Sequence, residues 1–391
     1  MSLRLPRIVS LFPIHNNGTA ISYIAASILD QMIQQGVDAQ LWVPTSDFSA
    51  RRPFIRNAVP SLLKAVAYRT LGYRKIVSLE ERRFLSALRP GDVAYIWPGP
   101  RVDLYRQAKG RGAIVVRESI NCSGATASAI LRREAEAIGM EWPGGSQAGI
   151  DSEHEEFAAS DFHFAPSPLV ADSLRADGVP DEKILTTSYG WDPERIASSS
   201  SPPRPAHGDE IRFLFVGTVC LRKGAHRLVD AWKRAGSPGR LILAGAIASD
   251  FPKHFVESLN DPTIELLGYT SNIGSVFQSA DVFVFPSFEE GGPMVTYEAM
   301  GAGLPVITTP MGAGAIAREG EGAIILPPDD PEAWAGAIRL LATNADLRAE
   351  MGRLSAARAP LFTWKQCART RIELLREALA RRECSLAAAV E

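Results

Sequence analysis

Short apolar runs alternate with amphipathic helical stretches along the whole chain. The first run, Arg7–Phe12, leads through the loop His15-Asn16-Asn17-Gly18 into a helix with Ile21, Ile24, Ile28 and Met32 on one face, stopped by Gly36. Ala39–Val43, Asp92–Trp97, Ala113–Arg117, Asp161–Ala165 and Ile184–Ser188 read as further strands. The alternation restarts at Ile211–Val216, with a helix from Ala225, then Arg240–Ala244, Thr263–Leu267, Asp281–Phe285, Pro305–Thr309 and Ala323–Leu326. Apolar strands separated by helices predict parallel sheets covered on both faces, because a doubly buried strand has no polar side to show.

Between the two series lies Ser198-Ser199-Ser200-Ser201-Pro202-Pro203-Arg204-Pro205, which continues neither a helix nor a central strand. With 391 residues the chain is too long for one ordinary core. The predicted fold class is α/β: two doubly wound Rossmann-like domains, residues 1–196 and 210–360, joined by a linker at 197–209 and facing a cleft. In open sheets of this kind ligands bind beyond the carboxyl ends of the strands. Residues 361–391 hold a last helix, from about Trp364 to Arg382, with Cys367, Ile372, Leu375 and Leu379 toward one side.

A hydrophobic content of 46% and a formal net charge of -2 describe an ordinary globular chain and give no reason to expect a nucleic-acid partner. Cys122, Cys220, Cys367 and Cys384 are scattered, without a C-x-x-C pair or a nearby His cluster, which fits a reducing compartment and argues against a zinc site. Arg4 and Arg7 precede an apolar run in the manner of a signal peptide, but Pro13, His15 and Asn16 break it, so a first strand is the better reading. No apolar segment approaches a membrane span. The expected location is the cytoplasm, at most peripheral to a membrane. Charge is uneven locally: Arg51–Arg89 contains ten Lys/Arg against Glu80 and Glu81, with Phe54, Leu62, Leu63, Tyr68, Leu71, Tyr73 and Phe84 interleaved. Such a stretch suits an anionic membrane face or an anionic acceptor, and it is also the pattern of two solvated helices covering one edge of a domain.

The chemistry concentrates in the second half. Gly217 and Gly224 bracket a loop after the strand Ile211–Val216 that holds Thr218, Arg222 and Lys223. Cations at the following helix N-terminus oppose its dipole, a cost that an anionic ligand would offset. A guanidinium and an ammonium together can neutralise a diphosphate without a metal. In Glu290-Gly291-Gly292-Pro293-Met294-Val295-Thr296-Tyr297-Glu298 two carboxylates flank a helix start, with Pro293 expected as the first helical residue. At ~1.5 Å per residue, Glu298 then lies ~7.5 Å along the axis from Pro293. Glu290 can meet a hexose hydroxyl and Glu298 a ribose, with phosphates at the helix N-terminus between them. Glu289 reads as solvated, whereas the apolar neighbours of Glu298 predict a buried carboxylate with a partner. This is a site for a nucleotide sugar. Gly312-Ala313-Gly314-Ala315-Ile316-Ala317 matches G-x-G-x-x-A, but it follows a late strand and lacks the distal acid, so NAD(P) is not expected. There is no D-x-D, no G-x-x-x-x-G-K-[ST], no H-E-x-x-H and no G-x-S-x-G, so neither a metal nor another cofactor is expected. The six His are dispersed and read as structural or solvated.

At these residues the chain resembles the family 4 retaining glycosyltransferases of the GT-B fold, the group 1 transferases. The similarity is strongest from about Ile211 to Leu341. It covers the F-V-G-x-x-x-x-x-K-G loop, Leu241–Gly245, Leu267-Gly268-Tyr269, Ala280–Ser287, the E-x7-E motif and Glu298–Ile307. A weaker match runs from Ala159 through Ala165-Pro166-Ser167 to Tyr189-Gly190-Trp191-Asp192, and Phe362-Thr363-Trp364 resembles the start of the family's final helix, which crosses back onto the first domain.

The resemblance implies a metal-independent enzyme that moves a sugar from a nucleotide-diphosphate donor to a sugar or lipid-linked acceptor hydroxyl with retention. In that picture Arg222 and Lys223 hold the diphosphate, Glu290 the donor sugar and Glu298 the ribose. Gly217, Thr218, Gly291, Gly292, Met294 and Val295 line the donor, the Gly268-Tyr269 turn lies near the base, and Asn17 and Gly18 line the acceptor side. The chain departs from the family at three places. Thr218 stands where Arg is common, Tyr95, Trp97 and Ser119 where His is common, and Gly292 where a bulky residue is common. Two alternatives stay open: a non-catalytic nucleotide-sugar-binding scaffold, and a sugar-nucleotide epimerase or phosphorylase on the same fold.

Overall fold

The computed structural model describes residues 5–47, 52–142, 144–197, 210–270 and 272–388. The expected linker beyond Ala197 lies outside the described residues. The chain divides into two compact units, the first formed by residues 1–125, 145–187 and 364–391, the second by 126–144 and 188–363.

Seven parallel strands build the first unit: β1 (Ile8–Leu11), β2 (Ala39–Val43), β3 (Ile55–Asn57), β4 (Val93–Ile96), β5 (Ile114–Glu118), β6 (Phe162–Ala165) and β7 (Ile184–Thr186), in the order β3-β2-β1-β4-β5-β6-β7. Six build the second: β8 (Arg212–Val216), β9 (Arg240–Ala244), β10 (Ile264–Leu266), β11 (Val282–Phe285), β12 (Val306–Thr308) and β13 (Ala323–Ile325), in the order β10-β9-β8-β11-β12-β13. Both are doubly wound α/β sheets, as the apolar runs predicted. In each, the strand order reverses beside the first strand, between β1 and β4 and between β8 and β11. Loops leaving two such strands diverge to opposite faces and open a crevice.

The core of the second unit gathers Phe213, Phe215, Phe283, Phe285, Trp232 and Trp334, all buried. Each such side chain contributes about 1.5–3 kcal/mol of burial. Trp191 belongs with this unit: its indole N–H donates to the Ala359 carbonyl at 2.8 Å, and its backbone N–H to that of Phe362 at 3.1 Å. Residues 126–144 join it too. Buried Glu134 on the helix Gly124–Ala137 accepts from Arg227 at 2.7 and 3.0 Å and lies 2.6 Å from His226 Nε2.

In the first unit the C-terminal helix, Trp364–Ala388, buries Cys367, Ile372, Leu375 and Leu379 as its pattern predicted. It also buries Arg371, which donates to both oxygens of Glu118 at 2.7 and 3.0 Å and to the Tyr95 hydroxyl at 3.0 Å. Tyr95 in turn donates to Glu118. No described helix is long and apolar enough to cross a membrane.

Candidate active site

Strand β8 ends in the doubly buried run Phe213–Val216, and the chain turns at Gly217. The loop closes at Gly224, whose φ of 69° and tight seat make glycine necessary: a Cβ there would stand 2.1 Å from the Pro286 carbonyl oxygen. Gly245, after β9, is as constrained, since a Cβ would fall 1.9 Å from the Gly217 carbonyl oxygen. These close approaches press the loop of β8 against those of β9 and β11. The Phe288 N–H donates to the Arg222 carbonyl at 2.9 Å, joining the two sides of the β8/β11 switch point.

Across that junction the predicted charges meet. Lys223 Nζ donates to Glu290 Oε1 and sits 5.3 Å above the Phe285 ring. Arg222 reaches the Glu289 carbonyl at 3.1 Å, Glu289 Oε2 at 3.3 Å and Glu290 Oε2 at 3.8 Å. Burial pulls the Arg222 pKa down, but the Glu290 and Glu289 carboxylates outweigh it and hold it above its ordinary value. Glu290 is aimed by Ser287, whose hydroxyl donates to Oε1 at 2.8 Å.

Glu289 corrects the sequence reading. It is 1% exposed and paired with Arg222, because the loop after β11 folds inward onto the β8 loop and takes both adjacent carboxylates with it. Ser287 was legible only as part of the resemblance.

Glu298 lies on the helix Met294–Gly301, which starts one residue later than expected. Pro293, with ψ of 100°, is its N-cap, since the fixed φ of proline suits that position as well as the first turn. Gly291 and Gly292 are buried, while Met294 and Val295 are partly exposed at the helix start. The Glu298 carboxyl is buried and has the predicted partner, Arg195 from the helix Pro193–Ala197, at 3.2 Å. Burial pushes its pKa up to about 7, with Arg195 pulling down and Asp192 pushing up. A half-exposed guanidinium thus fails to offset the desolvation. Arg195 carried no sequence signal, being far from Glu298 along the chain.

The rejected G-x-G-x-x-A match serves this helix. Thr309 caps the turn Pro310–Ala313 by accepting from the Gly312 N–H at 2.9 Å, the Gly312 carbonyl accepts from Thr296 at 2.7 Å, and the Tyr297 hydroxyl accepts from the Ala315 N–H at 3.1 Å. These bonds pack the loop against the helix through its backbone groups.

Residues 210–344, which carry Arg222, Lys223, Glu289, Glu290 and Glu298 but not Arg195, match the family described as glycosyl transferases group 1. The chain is similar to that family over this stretch. The chain is 32% identical over 225 residues to D-inositol 3-phosphate glycosyltransferase of Paenarthrobacter aurescens (strain TC1), covering 54% of this chain and 53% of that one. It is 28% identical over 244 residues to the protein of the same name from Rhodococcus erythropolis, covering 53% and 54%. It thus spans about half the length of the curated relatives it matches. The fold is similar to sucrose-phosphate synthase from Thermosynechococcus elongatus, with a TM-score of 0.71 at 18% identity over 96% of this chain and 100% of that one. It is also similar to Anabaena HepE in complex with UDP-glucose, with a TM-score of 0.66 at 14% identity over 95% and 99%. These likenesses establish the GT-B fold class.

Two other predicted features of the group 1 region stand apart from the charged quartet. Gly268, with φ of 70°, and Tyr269, 79% exposed, follow the edge strand β10. Thr218 is exposed in the β8 loop. In the first unit, Gly18 donates its N–H to Asn16, and Asn17, just before the helix Ala20–Gln34, accepts from the Thr19 N–H and the Ser22 hydroxyl.

A cluster beyond the carboxyl ends of β1 and β2 escaped the sequence reading. His15 Nδ1 lies 3.0 Å from the Thr45 carbonyl and 2.8 Å from its hydroxyl, and Nε2 lies 2.9 Å from Lys64 Nζ and 3.1 Å from Asp47 Oδ2. Lys64 also donates to Asp47 at 3.0 Å, and this bond is the main reason the Asp47 carboxyl is held below its ordinary value. Where the resemblance expects His near Ser119, the Ser119 hydroxyl is instead met by Arg117 at 3.2 Å, a buried guanidinium shared with Glu153 and Glu156.

Proposed function

We propose that this chain moves a sugar, of hexose type, from a nucleoside-diphosphate sugar to an acceptor hydroxyl. Transfer proceeds with retention and without a metal, in the synthesis of a polysaccharide or glycolipid. The observation that carries the reading is the meeting of Arg222, Lys223 and Glu290 at the β8/β11 switch point. The bond from the anomeric carbon to the phosphate oxygen breaks, and the leaving diphosphate gains charge. Arg222 and Lys223 are the groups to receive that charge. Glu290, oriented by Ser287, accepts from a sugar hydroxyl, and Glu298 from the ribose. The acceptor oxygen attacks the same face, and its proton passes to the departing phosphate oxygen. No other base is then required, and the protein contributes positioning and charge stabilisation. HepE, similar in fold, forms a complex with UDP-glucose, which supports a donor of this kind. The relatives' name, D-inositol 3-phosphate glycosyltransferase, supports a polyhydroxylated, anionic acceptor.

The test is a thermal-shift panel with UDP, GDP, ADP, dTDP and NAD, with and without Mg²⁺, followed by product analysis with and without acceptor. Stabilisation by one nucleoside diphosphate, independent of metal and lost in Glu298→Ala, is expected. Lys223→Ala and Glu298→Ala should each lower turnover by about 10²-fold or more, the scale of losing one charge-stabilising group. Near-normal rates in both variants would overturn the site. Binding without turnover would make the chain a scaffold, and product formed without acceptor an epimerase or phosphorylase.

A further inference from the structure

Residues 48–79 contain seven Lys/Arg and no acid. They hold β3, a short turn at Ser61–Leu63, the helix Lys64–Thr70 and the start of the helix Tyr73–Ala87. The orientation of the Lys64–Thr70 helix is fixed from one side. Lys64 is tied to His15 and Asp47, the Tyr68 hydroxyl lies 3.1 Å from Thr45 Oγ1, and Tyr73 donates to the Pro13 carbonyl at 2.8 Å. Ala67 and Ile76 are buried beneath.

What this leaves outside is apolar. Leu62 is 98% exposed and Val66 60%, with Leu63, Leu71 and Tyr73 also exposed. Among the described residues, five of the thirteen exposed large hydrophobic side chains fall within residues 62–73. Arg69, Arg74 and Lys75 are exposed around them. Of the two acids that flank the stretch, Asp47 is paired with Lys64, and Glu80 is fully buried, with burial holding its carboxyl well above the ordinary range, so neither offsets the charge of Arg69, Arg74 and Lys75.

We propose that the first unit docks on an anionic lipid surface through this apolar face, with Leu62, Leu63 and Val66 entering the headgroup boundary and Arg69, Arg74 and Lys75 resting on lipid phosphates. Leucine and valine projecting from a cationic face find no complement in a purely polar polyanion, whereas a bilayer offers hydrocarbon below and negative charge above. Self-docking of this face would set two acid-free cationic stretches against each other, which like-charge repulsion opposes. The surface adjoins the loop after β1, so a docked first unit would meet a lipid-linked acceptor at the carboxyl end of its own sheet. The inference goes beyond the transfer reaction and does not depend on it.

The experiment is co-sedimentation of the full chain, without substrate, with vesicles of phosphatidylcholine alone or with about 30 mol% phosphatidylglycerol. Binding only to the anionic vesicles is expected, falling about tenfold or more between about 50 and 500 mM NaCl. The triple variant Leu62→Ser, Leu63→Ser, Val66→Ser should bind about tenfold less while melting at the same temperature, because these side chains already face water. Arg69→Glu with Arg74→Glu and Lys75→Glu should abolish the preference for anionic lipid. No binding, equal binding to both vesicles, or undiminished binding by the triple variant would overturn the proposal. Loss of a concentration-dependent dimer in the triple variant, without vesicle binding, would overturn it in favour of a second copy of the chain. Because no nucleotide is present, failure here leaves the thermal-shift test of the donor site untouched.

Discussion

Glu298 is a carboxyl with a cationic partner whose pKa nevertheless rises from 4.5 to about 7, burial being the largest influence. The folded protein keeps the proton until about pH 7, whereas the unfolded chain releases it near 4.5. Its stabilising contribution is therefore complete below pH 4.5 and is lost as the pH rises through 7. Replacing it by the neutral isostere, Glu298→Gln, should flatten that dependence by on the order of 3 kcal/mol, read from urea titrations at about pH 5 and about pH 8. An unchanged slope would mean that Arg195 holds the carboxylate ionised throughout. Lys223, Arg222, Glu290 and Glu298 were legible because loop glycines and a Gly-Gly-Pro helix start frame them in the linear sequence. Arg195 and the inward turn of Glu289 were not, because they depend on which loops the fold brings together.

Elements were the most legible level, since strands buried on both faces appear as continuous apolar runs. β3 escaped because it is a three-residue edge strand with only Ile55 buried, set in a stretch otherwise helical. The tight loop junctions were invisible for a different reason: a glycine's spacing does not report what lies against it. Gly224→Ala would drive a methyl into the Pro286 carbonyl at a φ that suits glycine. It should cost more than about 1 kcal/mol and separate the β8 and β11 loops. Turnover should fall further than the melting temperature alone explains. Wild-type turnover in a folded Gly224→Ala protein would show that the junction does not position Lys223.

For the whole molecule, composition placed the boundaries at 196 and 360, whereas the compact units change at 125/126, 144/145, 187/188 and 363/364. Bonds between partners distant in sequence explain the difference: Trp191 to Ala359 and Phe362 for the later boundaries, Glu134 to Arg227 for the segment 126–144. The C-terminal helix was legible from its apolar face, but Arg371 was not, since an arginine in an amphipathic helix ordinarily faces water. Arg371→Ala should cost about 3–5 kcal/mol by stranding Glu118 without its counter-charge. Arg371→Met combined with Glu118→Met and Tyr95→Phe should recover most of that loss. Denaturant melts of the single and combined variants would decide it. Equal losses in both would show that packing volume, not the ion pair, holds the helix.

The quartet Arg222, Lys223, Glu289 and Glu290 has zero formal charge before any ligand arrives. A bare anion must draw a cation away from a carboxylate and offers that carboxylate nothing in exchange. A molecule with hydroxyls beside its phosphates supplies both replacements at once. On the proposed reading the arrangement would act as a coincidence filter, disfavouring free phosphate and favouring ligands that present the two chemistries side by side. Inorganic pyrophosphate should accordingly compete poorly with a nucleotide sugar, and Glu290→Gln, by freeing the lysine, should let it in.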